Sequence, residues 1–228
     1  MKLAKVFKEN KQFTLFSILA LVVVGVAVFA PQIAPYDPLD AVMLESLQAP
    51  SSAHPFGTDK LGRDLLSRVI FGTRTSLVMT LCLVAVIFVI GTFLGIIAGY
   101  FGGIVDGVIM RIADMMISFP GLVLAIAIAG MLGPNLVNAV ISIAAVSWTK
   151  YARLARSMVL KVKKSLYIEA AIVNGTKTWK ILLVHILPNM VTQMVVTAAA
   201  DIGTMMLELA SLSFLGFCLL YTSDAADE

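Results

Sequence analysis

Long apolar runs separated by short polar segments organise this chain. Phe13 to Ala30, Leu77 to Tyr100, Met115 to Leu132, Leu136 to Trp148 and Pro188 to Leu209 are the five runs. A helix rises about 1.5 Å per residue, so about 20 apolar residues cross a hydrocarbon core of roughly 30 Å. The pattern therefore predicts five membrane spans, the fourth of them short and extended by Lys150 and Arg153 reaching toward the headgroups. The strict alternation over strands of about 10 residues that marks a β-barrel is not visible. The predicted fold class is an all-α polytopic membrane protein.

Composition strengthens that picture. The chain is 59% hydrophobic and 14% charged, with a mean hydropathy of +0.94, where a soluble domain carries about 25% charged residues. Cys82 and Cys218 offer neither a disulfide framework nor metal-ligand spacing. The net charge of +3 does not point to nucleic acid, because the cations gather beside the spans, where topology accounts for them.

The first run follows Lys2, Lys5, Lys8 and Lys11. The apolar part of a cleaved signal peptide is only about 7–15 residues, so residues 1–30 read as a cytoplasmic start and a retained first span. Residues 31–76 form an extracytoplasmic segment. Five prolines between Pro31 and Pro55 keep its first half extended. Its second half, Phe56 to Leu77, reads as an amphipathic helix lying along the interface. Gly57 and Gly62 have the spacing of a phosphate-binding loop, but Arg63 and Asp64 stand where Lys and Ser or Thr are needed.

In the second span Gly91, Gly95 and Gly99 recur every fourth residue, giving a face for close helix packing or for lining a pore. Arg111 and Asp114 are spaced to pair on one helix, Pro120 is expected to kink the third span, and Gly133-Pro134-Asn135 makes a turn. The last run carries Asp201 and Glu208, seven apart and nearly on one face. They are candidate pore-lining acids. The alternative is that Asp201 bonds to a neighbouring helix and Glu208 sits at the interface.

The segment from Lys150 to Asn189 is the one long basic stretch. Eight of the seventeen Lys and Arg fall between Lys150 and Lys180, against one carboxylate, Glu169. Five spans from a cytoplasmic N-terminus put thirteen cations inside and four outside, in agreement with the positive-inside rule. Ser165 is placed to begin a short helix through Glu169, Ala170 and Ala171, and Gly175 to close it in a left-handed conformation. Thr176 or Thr178 then starts a second helix from Trp179 to Leu187, ended by Pro188. Two short helices about a glycine make a knob able to lie on lipid headgroups or to dock into a groove on a soluble partner.

Glu169-Ala170-Ala171, Gly175 and Ile186-Leu187-Pro188 resemble the EAA loop of the membrane subunits of binding-protein-dependent ABC importers. The run His54-Pro55-Phe56-Gly57-Thr58-Asp59, Leu61-Gly62-Arg63-Asp64, Ser67-Arg68, Gly72, Arg74 and Ser76-Leu77 is similar to the signature of the C-type permease of dipeptide and oligopeptide importers. Tyr151-Ala152-Arg153, Arg156, His185, Asn189 and Leu212-Ser213-Phe214-Leu215-Gly216 extend that likeness, which covers about residues 10–217.

The resemblance implies a type I ABC importer transmembrane fold, with five spans present of an expected six. Residues 77–217 would be the transmembrane domain, with the EAA loop at 150–187. It implies a multi-pass subunit of a bacterial inner membrane that is not itself an enzyme. Its partners would be a second permease subunit, two cytoplasmic ATPases and an extracytoplasmic peptide-binding protein. No cofactor or metal would be bound by this chain, ATP and Mg²⁺ residing on the partners. The cargo implied is di- or oligopeptides, or, with the same machinery, nickel chelates, glutathione or antimicrobial peptides. Residues 218–228 depart from the family and are expected to be a non-native tail on a truncated domain.

Two other classes fit less well. A self-sufficient secondary transporter or channel favours matching broken-helix repeats, and none is visible. A membrane protease needs HExxH or a histidine with a nucleophile in register, and neither His54 nor His185 has one.

Overall fold

The computed structural model describes residues 10–217, all of its regular structure helical, with no strand among them. Lys2, Lys5, Lys8 and the tail at 218–228 lie outside the described residues. The chain divides into two compact units between Met79 and Thr80.

In the first unit, α1 (Lys11–Val28) is 18 residues of almost unrelieved apolar sequence. Only Ala27 is buried, so its side chains are left for lipid or another subunit. After Phe29, the short α2 (Ala30–Ile33) carries Pro31 in its first turn, where the missing N–H has no intrahelical partner to lose. The prolines keep the following stretch irregular apart from a 3₁₀ turn at Met43–Glu45.

A polar knot then forms around two aspartates. The Asp59 carboxylate accepts from the backbone N–H of Leu61 at 2.9 Å, from that of Arg63 at 3.0 Å and from Arg63 Nε at 2.9 Å, and it also takes the Arg68 guanidinium. Asp64 Oδ2 accepts from Ser67 N at 2.7 Å, while its Oδ1 lies 3.0 Å from His54 Nδ1. Burial works to raise both carboxyl groups, but these hydrogen bonds outweigh it and hold each below the usual carboxylate range.

Asp64 thereby caps the N-terminus of α3 (Leu65–Phe101), a single helix of 37 residues. This corrects the interfacial helix expected within residues 31–76. Residues 56–64 are turns closed by an isolated bridge between Thr58 and Asp64, and from Leu65 onward the chain runs unbroken into the span. No glycine or proline cluster interrupts the apolar repeat after the cap, so nothing stops the helix.

In the second unit α3 leads to α4 (Gly103–Ile117) and α5 (Gly121–Leu132), which meet at 91°. The third span is therefore broken rather than kinked. Pro120 supplies no N–H and disfavours helical geometry at Phe119 before it. Asn135 accepts from Val137 N at 2.8 Å and so starts α6 (Leu136–Lys163), 28 residues long. The short α7 (Leu166–Val173) and α8 (Thr178–Lys180) follow, then a π-helical segment Ile181–Ile186 and α9 (Leu187–Phe214).

Among the described residues three helical runs are long and apolar enough to cross a membrane: Lys11–Val28, Leu65–Phe101 and Thr178–Phe214; the bent pair α4–α5 makes a fourth if it is one span. The fourth expected span, Leu136 to Trp148, is the first half of α6, whose second half carries the five cations Lys150, Arg153, Arg156, Lys161 and Lys163. Its place is set by packing rather than by hydropathy.

α6 is the centre of this unit. Its buried face includes Ala139, Ile143, Val146, Tyr151, Ala152, Ala155 and Val159. A side chain added at Gly91 would meet Trp148 O and Tyr151 Cβ, both at 2.5 Å, one at Gly95 would meet Ala152 O and Ala155 Cβ, and one at Gly99 would meet Val159 Cβ at 2.8 Å. The glycine face of α3 thus lies against the small-residue face of α6, close enough for backbone to touch backbone.

Candidate coupling loop and transmembrane cleft

The basic segment does not enter the loop as one piece. Lys150, Arg153 and Arg156 sit inside α6 and are spent on neighbouring helices. Arg156 grips Asp106 of α4 through two bonds of 2.5 Å, and Arg153 pairs with Asp114. The expected pairing of Arg111 with Asp114 gives way to this cross-helix pair. Lys150, Arg153 and Arg156 recur every third residue along one side of α6, while their acidic partners lie some forty to fifty residues away, beyond what spacing shows. Lys163 Nζ donates to Tyr100 O at 2.7 Å and stands 5.2 Å from the Tyr100 ring. A cation there complements the C-terminal end of α3.

Beyond α6 the chain forms the small knob. Ser165 stands at the start of α7, although its hydroxyl bonds back to Val162 O at 2.5 Å instead of capping the helix. α7 is closed by Gly175 at φ +70, with Gly175 N on Ile172 O and Thr176 N on Ala171 O. That pair of bonds is a Schellman closure, and the positive φ is why glycine stands there. Ile168 alone is buried in α7. Glu169 and Ala170 are exposed, Ala171 is half-buried, and Leu166 and Val173 are 82% and 87% exposed.

The helix after Gly175 differs from expectation. Lys177, not Thr176 or Thr178, holds the N-cap position, and no break occurs at Pro188. Ile186 is buried, Leu187 half-buried and Pro188 exposed. The wide turns of Ile181–Ile186 precede the proline, and Leu187 N bonds Leu182 O, five residues back. A proline ring in a regular helix collides with the carbonyl four residues before it; the π-helical register relieves this, so α8 and α9 run on as one rod. Tyr167 of α7 meets that rod, with Asn189 Nδ2 donating to its hydroxyl at 3.2 Å and the His185 ring centroid 6.4 Å away.

The second candidate is a cleft of ≈470 Å³ between the α4–α5 bend, α6 and α9, lined among others by Met116, Phe119, Lys150, Asp201 and Glu208. Both acids predicted from sequence line it. Asp201 is buried, accepts from Lys150 Nζ at 2.6 Å and from Tyr151 OH at 2.9 Å, and so also bonds to a neighbouring helix. The two sequence readings of Asp201 are compatible. Lys150 and Tyr151 are the members that sequence reasoning missed. At about 1.5 Å per residue Lys150 lies roughly 20 Å along α6 from Lys163, so it belongs to the body of the helix rather than to the loop.

Comparison with known proteins agrees with this arrangement. Residues 91–222 match the family described as binding-protein-dependent transport system inner membrane component, and residues 2–50 match the N-terminal TM domain of oligopeptide transport permease C. The chain is similar to a probable D,D-dipeptide transport system permease of Escherichia coli K12, 40% identical over 215 residues, covering 94% of this chain and 72% of that protein. It is 41% identical over 212 residues to a dipeptide transport system permease of Alkalihalophilus pseudofirmus, covering 93% and 70%. A glutathione transport system permease of Pectobacterium atrosepticum is 43% identical over 197 residues, covering 86% and 65%. With matches of that extent over a type I ABC importer membrane fold, the chain belongs to the binding-protein-dependent transport system inner membrane components.

Proposed function

We propose that this chain forms half of the translocation path of an ATP-driven importer of di- or oligopeptides and couples to a cytoplasmic ATPase through residues 165–189. The observation that carries the reading is the exposed knob. α7 presents Leu166, Ile172 and Val173 to solvent beside Glu169, a large apolar face for an eight-residue helix outside the spans. Such a face fits a groove on a soluble partner. Relatives named for dipeptide transport support the cargo.

The chain carries no phosphate-binding loop, so hydrolysis is assigned to two partner ATPases. A second permease completes the path, and an extracytoplasmic binding protein delivers the peptide. The N-terminus and the knob lie in the cytoplasm, and the polar knot of residues 45–67 lies outside. Movement of the ATPases displaces α7, and the Tyr167–Asn189 contact and the π-helical turn pass it into α9. α9 carries Asp201 and Glu208 into the cleft, so the path alternates between its two openings.

Glu169→Lys and Gly175→Pro, expressed with the partner subunits, are expected to abolish peptide uptake while the chain still inserts in the membrane. Glu169→Lys should also reduce the ATPase recovered on copurification. Wild-type uptake by both variants defeats the coupling role. Glutathione is the second cargo reading, favoured by the similarity to a glutathione permease; competition of peptide uptake by glutathione decides between them.

A further inference from the structure

The cleft contains one acidic group that the fold does not use. Lys150, Asp201 and Glu208 line it together with the Tyr151 phenol. Lys150 neutralises Asp201, which also holds the Tyr151 hydroxyl. Among the described residues no hydrogen bond or ion pair is found at Glu208, which leaves the lining with one acid that has no such partner. Acids within spans are costly and otherwise pair with a neighbour.

The surroundings indicate what such a carboxylate is kept for. Glu208 lies seven residues beyond Asp201, about 10 Å further along α9, on the side from which cargo arrives under the orientation proposed above. Met116, Phe119 and Met205 line the same cleft. Methionine and phenylalanine offer adaptable apolar surface without a hydrogen-bond code. The volume of ≈470 Å³ falls within the roughly 300–1,000 Å³ of small-ligand sites. One acidic side chain without a hydrogen-bond or ion-pair partner, in a cleft whose remaining wall is largely apolar, suits a ligand class with one constant cationic group and variable side chains.

We propose that Glu208 receives the primary ammonium group of the cargo as it crosses the membrane. The contact is a charge-assisted hydrogen bond from the ammonium to the carboxylate. It selects for a free amino terminus while the apolar walls accept different side chains. The inference rests on the peptide reading and adds the atom by which the permease itself recognises the cargo.

The test uses the complete importer in proteoliposomes, with saturating binding protein preloaded with a free-amino dipeptide, so that selection by the binding protein drops out. Glu208→Gln is expected to lower the maximal uptake rate about tenfold or more, the scale of one hydrogen bond to a charged group. Binding-protein-stimulated ATP hydrolysis should continue, and Glu208→Asp should recover part of the uptake. Uptake by Glu208→Gln at the wild-type rate overturns the proposal. So does parallel loss of uptake and of stimulated hydrolysis without rescue by Glu208→Asp, since that marks a structural role. Failure of the wild-type complex to import any free-amino peptide or glutathione is a different outcome, which removes the cargo reading and this proposal with it.

Discussion

Lys150 and Asp201 form a pair whose halves are unequally placed. The lysine side chain is 59% exposed and the aspartate 6%. Removing one partner of a buried pair costs about 3–5 kcal/mol when it strands the other charge, and exposure reduces that cost. Lys150→Met strands a buried carboxylate, whereas Asp201→Asn leaves an exposed lysine and keeps an acceptor for Tyr151. Lys150→Met should therefore lower the melting temperature of the detergent-solubilised protein more than Asp201→Asn. Equal shifts would show that the pair is solvated. The aspartates of the extracytoplasmic knot make a second residue-scale prediction. Burial opposes, but the bonds from Ser67 and His54 win, and Asp64 is held below its ordinary value. Its contribution is complete above the unfolded-chain value of about 3.9 and is lost as pH falls through the lower folded value. Amide protection across residues 45–67, taken relative to the intrinsic exchange rate at each pH, should fall on acidification below about pH 4, and Asp64→Asn should weaken that dependence.

At the scale of elements, α3 and α6 are matched surfaces. The sequence shows three glycines in fourth-residue register; the structure shows what fills the space, namely Trp148, Tyr151, Ala152, Ala155 and Val159. Gly95→Leu forces α3 away from the Ala152 carbonyl, and overpacking of this kind costs about 1–3 kcal/mol or more. Gly107, with nothing within 4 Å of an added Cβ, is the control. Thermal unfolding should fall clearly for Gly95→Leu and stay level or rise slightly for Gly107→Ala. A second element-scale feature is the π-helical segment. Hydropathy and Pro188 suggested two helices, one ending and one beginning there. The wider turns accommodate the proline instead, making one rod that reaches from beside the knob to the cleft.

At the scale of the whole molecule, coupling to a cytoplasmic partner requires that α7 and the polar knot lie on opposite sides of the membrane. Single cysteines at Lys164 and Ser51, with Cys82 and Cys218 replaced, test it directly. A membrane-impermeant maleimide applied to intact cells should label Ser51→Cys and reach Lys164→Cys only after the membrane is opened. The reverse result inverts the orientation, and with it the assignment of α7 to the cytoplasm. The polar knot makes an independent argument for an aqueous location, since Asp59, Arg63 and Arg68 form a charged cluster at the end of α3.

The sequence by itself determined that the chain lives in a membrane, that a short helix closed by Gly175 follows the basic stretch, and that Asp201 and Glu208 share a helix face. Apolar length, charge distribution and helical period are local properties, so one sequence suffices to read them. It also showed where chain direction changes, at Pro120 and Gly175. Only the tertiary structure decided which residues meet. Period tells which face a side chain occupies but not which helix lies opposite, so Arg153 rather than Arg111 takes Asp114, and Lys150 leaves the loop to neutralise Asp201. For the same reason the fourth span was legible only as a short apolar run: α6 is held by the glycine face of α3 and by its ion pairs with α4 and α9, contacts between residues far apart in the chain.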